Sequence, residues 1–314
     1  MTFLSKLIAM PMFQLFIENI YWLEIQQDIG LSKNIRPVIG ILTQPWNSGV
    51  DNVNVSNIDS SYVRWLESGG AKVVPILFND TTTNIEYQFS QLSGVLFTGG
   101  PNKPTDFDRY YKAATQLYDL SVTHKTPLWG TCLGFQMISD IVGGGDILSD
   151  YEAEDLELPL VLTPEASTSK LFANASPDIV DLFSKNSFTT NWHHYGVSPD
   201  MFNSKLAPNG MTMISTNVDA NNLPFVSTME HSEYPIYAVQ WHPEANAFSH
   251  DHVVVDHSML AVSAMQYMSN FFVNEARMKG IGPGDVEANV TDIEFYPLKH
   301  IPSSTKDHFK YVFE

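Results

Sequence analysis

The sequence predicts an α/β fold, with a mostly parallel central sheet and helices on both of its faces. Three observations predict it. Apolar runs bounded by Gly/Pro-rich loops alternate with amphipathic helical stretches. The runs are continuously apolar instead of alternating, as strands covered on both faces must be. One of them, TPLW, passes through GTCLG straight into FQMISDIVGG, a strand, a tight turn and a helix in succession.

In order, RPVIGILT (36–43) reads as a buried strand. DSSYVRWLESGG (59–70) reads as a helix capped by Asp59 or Ser60, with Tyr62, Trp65 and Leu66 on one face and Gly69–Gly70 as its stop. AKVVPIL, the helical TTNIEYQFSQL and GVLFTGG repeat the alternation. DFDRYYKAATQLYDLSVTHK is a longer helix, and Gly143–Gly145 end the helix that follows GTCLG. The acidic run YEAEDLELP (151–159) reads as a solvated loop. From Phe188 onward strands dominate, until SMLAVSAMQYMSNFFVNEARMKG (258–280) closes the core as a long helix. The expected organisation is a hydrophobic N-terminal segment, 1–35, and one α/β domain, 36–314. MTFLSKLIAMPMFQLFIENIYW has an apolar run resembling a signal peptide, but Pro11 and Gln14 interrupt it. A signal or anchor and a retained amphipathic helix both remain open.

Seventeen basic against 35 acidic residues give a net charge of −18. That excludes binding to nucleic acid through a general positive face. An anionic ligand must instead find local basic groups or backbone amides. The single cysteine allows no internal disulfide. Sequons at Asn54, Asn79, Asn174 and Asn289 are no more than this composition supplies by chance.

That cysteine, Cys132, sits between Gly130 and Gly134 at the spacing of a nucleophile elbow. Glycines permit the strained turn, and the helix N-terminus favours a thiolate. The Leu133 amide would face a developing oxyanion. A thiol nucleophile needs a base and an orienting partner, and YAVQWHPE supplies His242 and Glu244 just after an apolar strand. If the segment is extended, positions two apart share a face and Glu244 can hold the imidazole. The Gly99–Gly100 pair ends another strand, where Gly100 could complete the oxyanion hole with Leu133.

Cysteine elbow, strand-end Gly-Gly and HPE, in this order, resemble the class I glutamine amidotransferase superfamily. Within it the chain is most similar to γ-glutamyl hydrolases, on RPVIGILTQP, SYVRWLESGGAKVVPI, GVLFTGG, PLWGTCLGFQ, FVSTME, YPIYAVQWHPE and FFVNEAR. The resemblance implies Cys132 as nucleophile, His242 as catalytic histidine and Glu244 as its partner. It implies His193 of TTNWHHYGVS, with His194 its adjacent competitor, as a substrate contact beside Gly99 and Gln136. It also implies hydrolysis of folate poly-γ-glutamates with no cofactor and no metal, and a lysosomal, vacuolar or secreted location. The partners expected are the small-molecule poly-γ-glutamate and either a second copy of the chain or a larger complex. Gln136 departs from the family, which has glutamate there; amidotransferases commonly have glutamine. Two alternatives therefore stand: a glutaminase-type amidotransferase, and a weakened or inactive hydrolase serving as a structural subunit. His250, Asp251, His252, Asp256 and His257 form a dense cluster, but no ligand spacing is met and a solvated loop is expected.

Overall fold

The computed structural model describes residues 36–46, 55–249, 254–280, 291–301 and 308–313. The N-terminal segment, Asn54, Asn289, His250, Asp251 and His252 lie outside these residues. In chain order the elements are β1 (Val38–Leu42), β2 (Gln44–Pro45), β3 (Ser56–Asp59), α1 (Ser60–Ser68), β4 (Lys72–Ile76), α2 (Thr82–Phe89), β5 (Gly94–Phe97), α3 (Asp108–His124), β6 (Leu128–Thr131) and α4 (Leu133–Gly143). Then come β7 (Ser149–Leu158), β8 (Val161–Leu162), α5 (Pro177–Lys185), β9 (Thr189–Gly196), β10 (Met211–Val218), β11 (Pro224–His231), β12 (Ile236–Val239), α6 (Met259–Lys279), β13 (Leu298–Ile301) and β14 (His308–Phe313).

The eight-stranded sheet runs β4-β1-β5-β6-β12-β11-β10-β8. Its β4-to-β12 half is parallel, and β11, β10 and β8 continue it antiparallel. The parallel strands β1, β5, β6 and β12 are buried along their whole length, which explains their continuous apolar sequence. Trp65 of α1, Trp129 of β6 and Phe272 of α6 stack on one face, with ring centroids 5.3 and 5.6 Å from Trp129. Ile85 of α2, Leu117 of α3 and Ile138 of α4 fill the core on the other. Asp59 caps α1 by accepting from the Ser61 amide, and Ser258 caps α6 by accepting from Ala261. Gly144, with φ 80°, ends α4 as the three-glycine run predicts. No helix among the described residues is long and apolar enough to cross a membrane.

The acidic stretch 151–159 is not a loop. It is the body of β7, which pairs antiparallel with β9. Tyr151 and Ala153 turn inward against Phe225, while Glu152 and Glu154 face outward, so a period of two was hidden under the charge. Asp155, at φ 54°, interrupts the alternation at a register shift.

Candidate active site

The elbow forms because β6 must turn into α4 within one residue. Cys132 takes φ 52° and ψ −102°, a strained conformation for a residue with a side chain. Its amide stays in the sheet, donating to the Val239 carbonyl at 2.9 Å. Both flanking glycines are required by close packing. A Cβ on Gly130 would lie 2.6 Å from the Gly134 carbonyl oxygen, and one on Gly134 would fall on the carbonyl oxygen of Phe97. The Leu133 amide opens α4, where the first N–H groups have no intrahelical partner.

Cys132, His242 and Glu244 line one cavity of about 490 Å³, together with Gly99, Gly100, Gln136 and His193. That volume lies within the range of small-molecule sites, about 300–1,000 Å³. His242 Nδ1 is 2.7 Å from Glu244 Oε1. The HPE segment reaches this geometry in a turn, not as extended strand: β12 ends at Val239, and the Ala245 amide closes back on the His242 carbonyl at 3.2 Å. Pro243 and the helical conformation of Glu244, φ −79° and ψ −19°, bend the chain so that the carboxylate returns to the ring. The His242 amide donates to the Thr190 carbonyl at 2.9 Å, tying the turn to β9. His242 Nε2 is buried with no hydrogen-bond partner among the described residues. Burial alone would disfavour the imidazolium, but the Glu244 carboxylate and then Cys132 outweigh it and push His242 up to about 10.

The alternation of β9 separates the two adjacent histidines. His193 is buried, with Nδ1 3.1 Å from the Tyr195 carbonyl oxygen and Nε2 3.3 Å from Asn191 Oδ1. Burial, and next the charge of His242, lower it to about 3, so its ring is neutral. His194 is exposed and lies 3.6 Å from Glu154. Gln136 sits in the first turn of α4 and donates Nε2 to the same Tyr195 carbonyl at 2.8 Å. A carboxylate at this position could accept only, so the amide makes a bond that an ionised glutamate cannot.

Two supporting residues lie outside the elbow, Gly-Gly and HPE motifs of the sequence. Gln44 Nε2 donates to Thr98 Oγ1 at 2.8 Å and to the Gly99 carbonyl at 2.6 Å, and any side chain on Gly100 would strike Gln44. Tyr62 accepts from the Gly99 amide at 2.9 Å, and its hydroxyl lies 3.3 Å from His242 Nδ1. With Gly99 N–H so occupied, Gly100 is the member of the pair whose amide has no partner among the described residues. A phenol hydroxyl beside the apolar Val63, Trp65 and Leu66 on the buried side of α1 was the available signal for Tyr62. Asp256 and His257 serve local structure: Asp256 Oδ1 accepts from the Ser258 amide at 2.7 Å, and His257 Nδ1 donates to the Asn246 carbonyl at 2.7 Å. Among the described residues no group of His, Cys, Asp and Glu is arranged to hold a metal.

The profile of the class-I glutamine amidotransferases matches residues 53–262. The chain is 38% identical over 253 residues to γ-glutamyl hydrolase B of Dictyostelium discoideum, an alignment spanning 78% of this chain and 73% of that one. It is 36% identical over 251 residues to γ-glutamyl hydrolase of Homo sapiens, spanning 77% and 78%. Among solved structures, the glutaminase domain of Trypanosoma brucei CTPS with bound acivicin has a TM-score of 0.51 at 13% identity, covering 82% of this chain and 100% of that one. That likeness shows the shared fold. A family profile over two thirds of the sequence, and relatives at this identity over most of their length, place the chain in the γ-glutamyl hydrolase family of class I glutamine amidotransferase-like enzymes.

Proposed function

We propose that this chain is a cysteine hydrolase of γ-glutamyl amide bonds, with folate poly-γ-glutamates as its substrate class. The observation that carries the reading is one cavity holding Cys132 on a strained elbow beside the buried His242–Glu244 pair at 2.7 Å. His242 takes and holds the thiol proton, through the Nε2 left unpartnered, and Glu244 keeps the ring oriented. The Cys132 sulfur attacks the γ-carbonyl carbon. The resulting oxyanion accepts from the amides of Gly100 and Leu133. The tetrahedral intermediate collapses by breaking the C–N bond, and His242 returns its proton to the departing amine. Water, deprotonated by His242, then attacks the γ-glutamyl thioester, releasing the γ-carboxylate and restoring the thiol. His193, held neutral on β9, contacts the substrate next to Gly99. Gln136 supports that wall through the Tyr195 carbonyl, so the departure at this position alters the scaffold of recognition and leaves the triad intact.

Mass spectrometry of a short poly-γ-glutamate, incubated with the purified chain and with Cys132→Ala, tests the reading. Loss of glutamyl units with the wild type alone supports it. Turnover of free glutamine and not of the peptide would favour a glutaminase, and silence on both substrates would favour a structural subunit.

A further inference from the structure

The protein carries a net charge of −18, and its proposed substrate is itself a polyanion. Two cationic side chains nevertheless line the cavity, and the chemistry above uses neither. Lys310 comes from β14, near the end of the chain, where it pairs in register with Asp59 of β3. Arg64 comes from α1, which follows directly on β3.

Lys310 is partly buried, and its Nζ donates to Asn57 Oδ1 at 3.2 Å. Asn57 in turn donates Nδ2 to the Gln44 carbonyl at 3.3 Å, which fixes the oxygen it presents to the lysine. The same Gln44 holds Gly99. The ammonium has three donors, and its hydrogen-bond partner is a neutral amide. Asp59 is occupied at the cap of α1, accepting from the Ser61 amide at 3.0 Å and the Ser61 hydroxyl at 2.7 Å. Burial lowers the pKa of Lys310, with Asp59 opposing it. Arg64 makes no hydrogen bond or ion pair among the described residues. A partly desolvated cation with spare donors, on the wall of a cavity, is matched by an anion entering that cavity.

We propose that Lys310, together with Arg64, is the carboxylate-binding element of this cavity and selects substrates that keep a free α-carboxylate on each linked unit; the inference rests on the hydrolase reading above. The chemistry of the linkage makes this discriminating. A γ-linked glutamyl unit uses its side-chain carboxyl in the amide and keeps its α-carboxylate. An interior unit of an ordinary α-linked peptide has none. In a lining that also includes the carboxylates of Asp59, Glu154 and Glu244, Lys310 and Arg64 are the lysine and arginine able to attract an anion that the overall charge would repel.

Calorimetric binding to the full-length Cys132→Ala chain tests this without turnover. The probes are a tri-γ-glutamate and its analogue with every α-carboxylate converted to amide. The carboxylate form should bind at least about tenfold more tightly, as expected for a charge-assisted hydrogen bond. Adding Lys310→Met should remove that preference, Lys310→Arg should retain most of it, and Arg64→Gln should reduce it severalfold. Thermal melting checks that each variant folds; if Lys310→Met does not, the arginine pair of results decides. Equal binding of the two probes, or an unchanged preference in Lys310→Met or in Arg64→Gln, overturns the inference. Failure of the hydrolase reading looks different: the wild-type chain cleaves no γ-glutamyl bond, whatever the binding measurements give.

Discussion

The elbow wall of the cavity and the β7–β9 ribbon beside it are built by opposite means. On the elbow wall, β5, β6 and β12 are buried throughout, and backbone atoms of Phe97, Gly130 and Gly134 pack so closely that no other residue fits either glycine position. Cys132 is thereby fixed in a conformation it would not choose. The ribbon has only two strands, a register shift at Asp155 and a small core of Tyr151, Ala153 and Phe225. It contributes the His193 side chain and the Tyr195 backbone carbonyl, through hydrogen bonds and not through steric exclusion. A rigid wall suits a nucleophile, whose position must hold to fractions of an ångström. A hydrogen-bonded ribbon suits recognition, which can change by substitution without disturbing the sheet.

The sharpest test of that division is removal of chemistry on the rigid wall alone. Cys132→Ala should reduce turnover by about 10⁴-fold or more, while melting stays close to wild type because the strained backbone is relieved of nothing it needs. A comparable loss of activity from His193→Ala, measured as kcat and not KM, would erase the distinction between the two walls. Glu244→Gln should follow, lowering kcat by about 10³–10⁴-fold through loss of the charge that supports the imidazolium. Its stability has a defined sign with pH. His242 is raised in the folded chain from an ordinary 6.5 to about 10, so the stabilisation is fully present below pH 6.5 and is lost as pH rises through about 10. The melting deficit of Glu244→Gln against wild type should therefore be larger near pH 6 and shrink toward pH 10. A deficit that is flat across that window would mean that His242 is neutral at rest.

The same division governs what the amino-acid sequence discloses. Fully buried parallel strands write themselves as apolar runs, and VIGIL, GVLF and IYAV were legible on that ground alone. The elbow was legible because two glycines and a thiol have few other reasons to share five residues. The ribbon was not, since alternation in YEAEDLEL is carried by Tyr151 and Ala153 amid four acidic residues, and composition there outweighs period. In HPE the backbone differs from the extended segment that the spacing suggests: the His242–Glu244 pair depends on a turn begun by Pro243. Gln44 could be seen only in space, and Tyr62 left no more than a hydroxyl on a buried helix face, because each acts on Gly99 from more than 35 positions away.

The ribbon side offers the next test, and it turns on one atom. Gln136 Nε2 is the donor that joins α4 to β9 at the Tyr195 carbonyl. Gln136→Glu replaces that donor with an oxygen. When protonated, the new side chain can still donate; when ionised, it faces the carbonyl with negative charge. Burial and that carbonyl raise the carboxyl's folded pKa above its unfolded value, so stability is retained below about pH 4.3 and declines as pH rises beyond it. The variant should match wild type near pH 4 and fall behind by about 1–3 kcal/mol at pH 7 in denaturant melts. A variant as stable as wild type at pH 7 would show that the ribbon is not held through this bond.

The smallest effect expected is that of Tyr62→Phe, and it probes where the two walls meet. The hydroxyl accepts from the Gly99 amide and lies 3.3 Å from the His242 ring. Its removal frees one backbone donor and withdraws one neighbour of Nδ1, while Glu244 at 2.7 Å still holds the ring. Stability should fall by about 0.5–1.5 kcal/mol. Because Gly99 precedes Gly100, whose amide is proposed to hold the oxyanion, kcat should drop by about tenfold with little change in KM. A loss confined to KM would move Tyr62 from positioning the reacting groups to binding the substrate, and would make the boundary between the walls part of recognition.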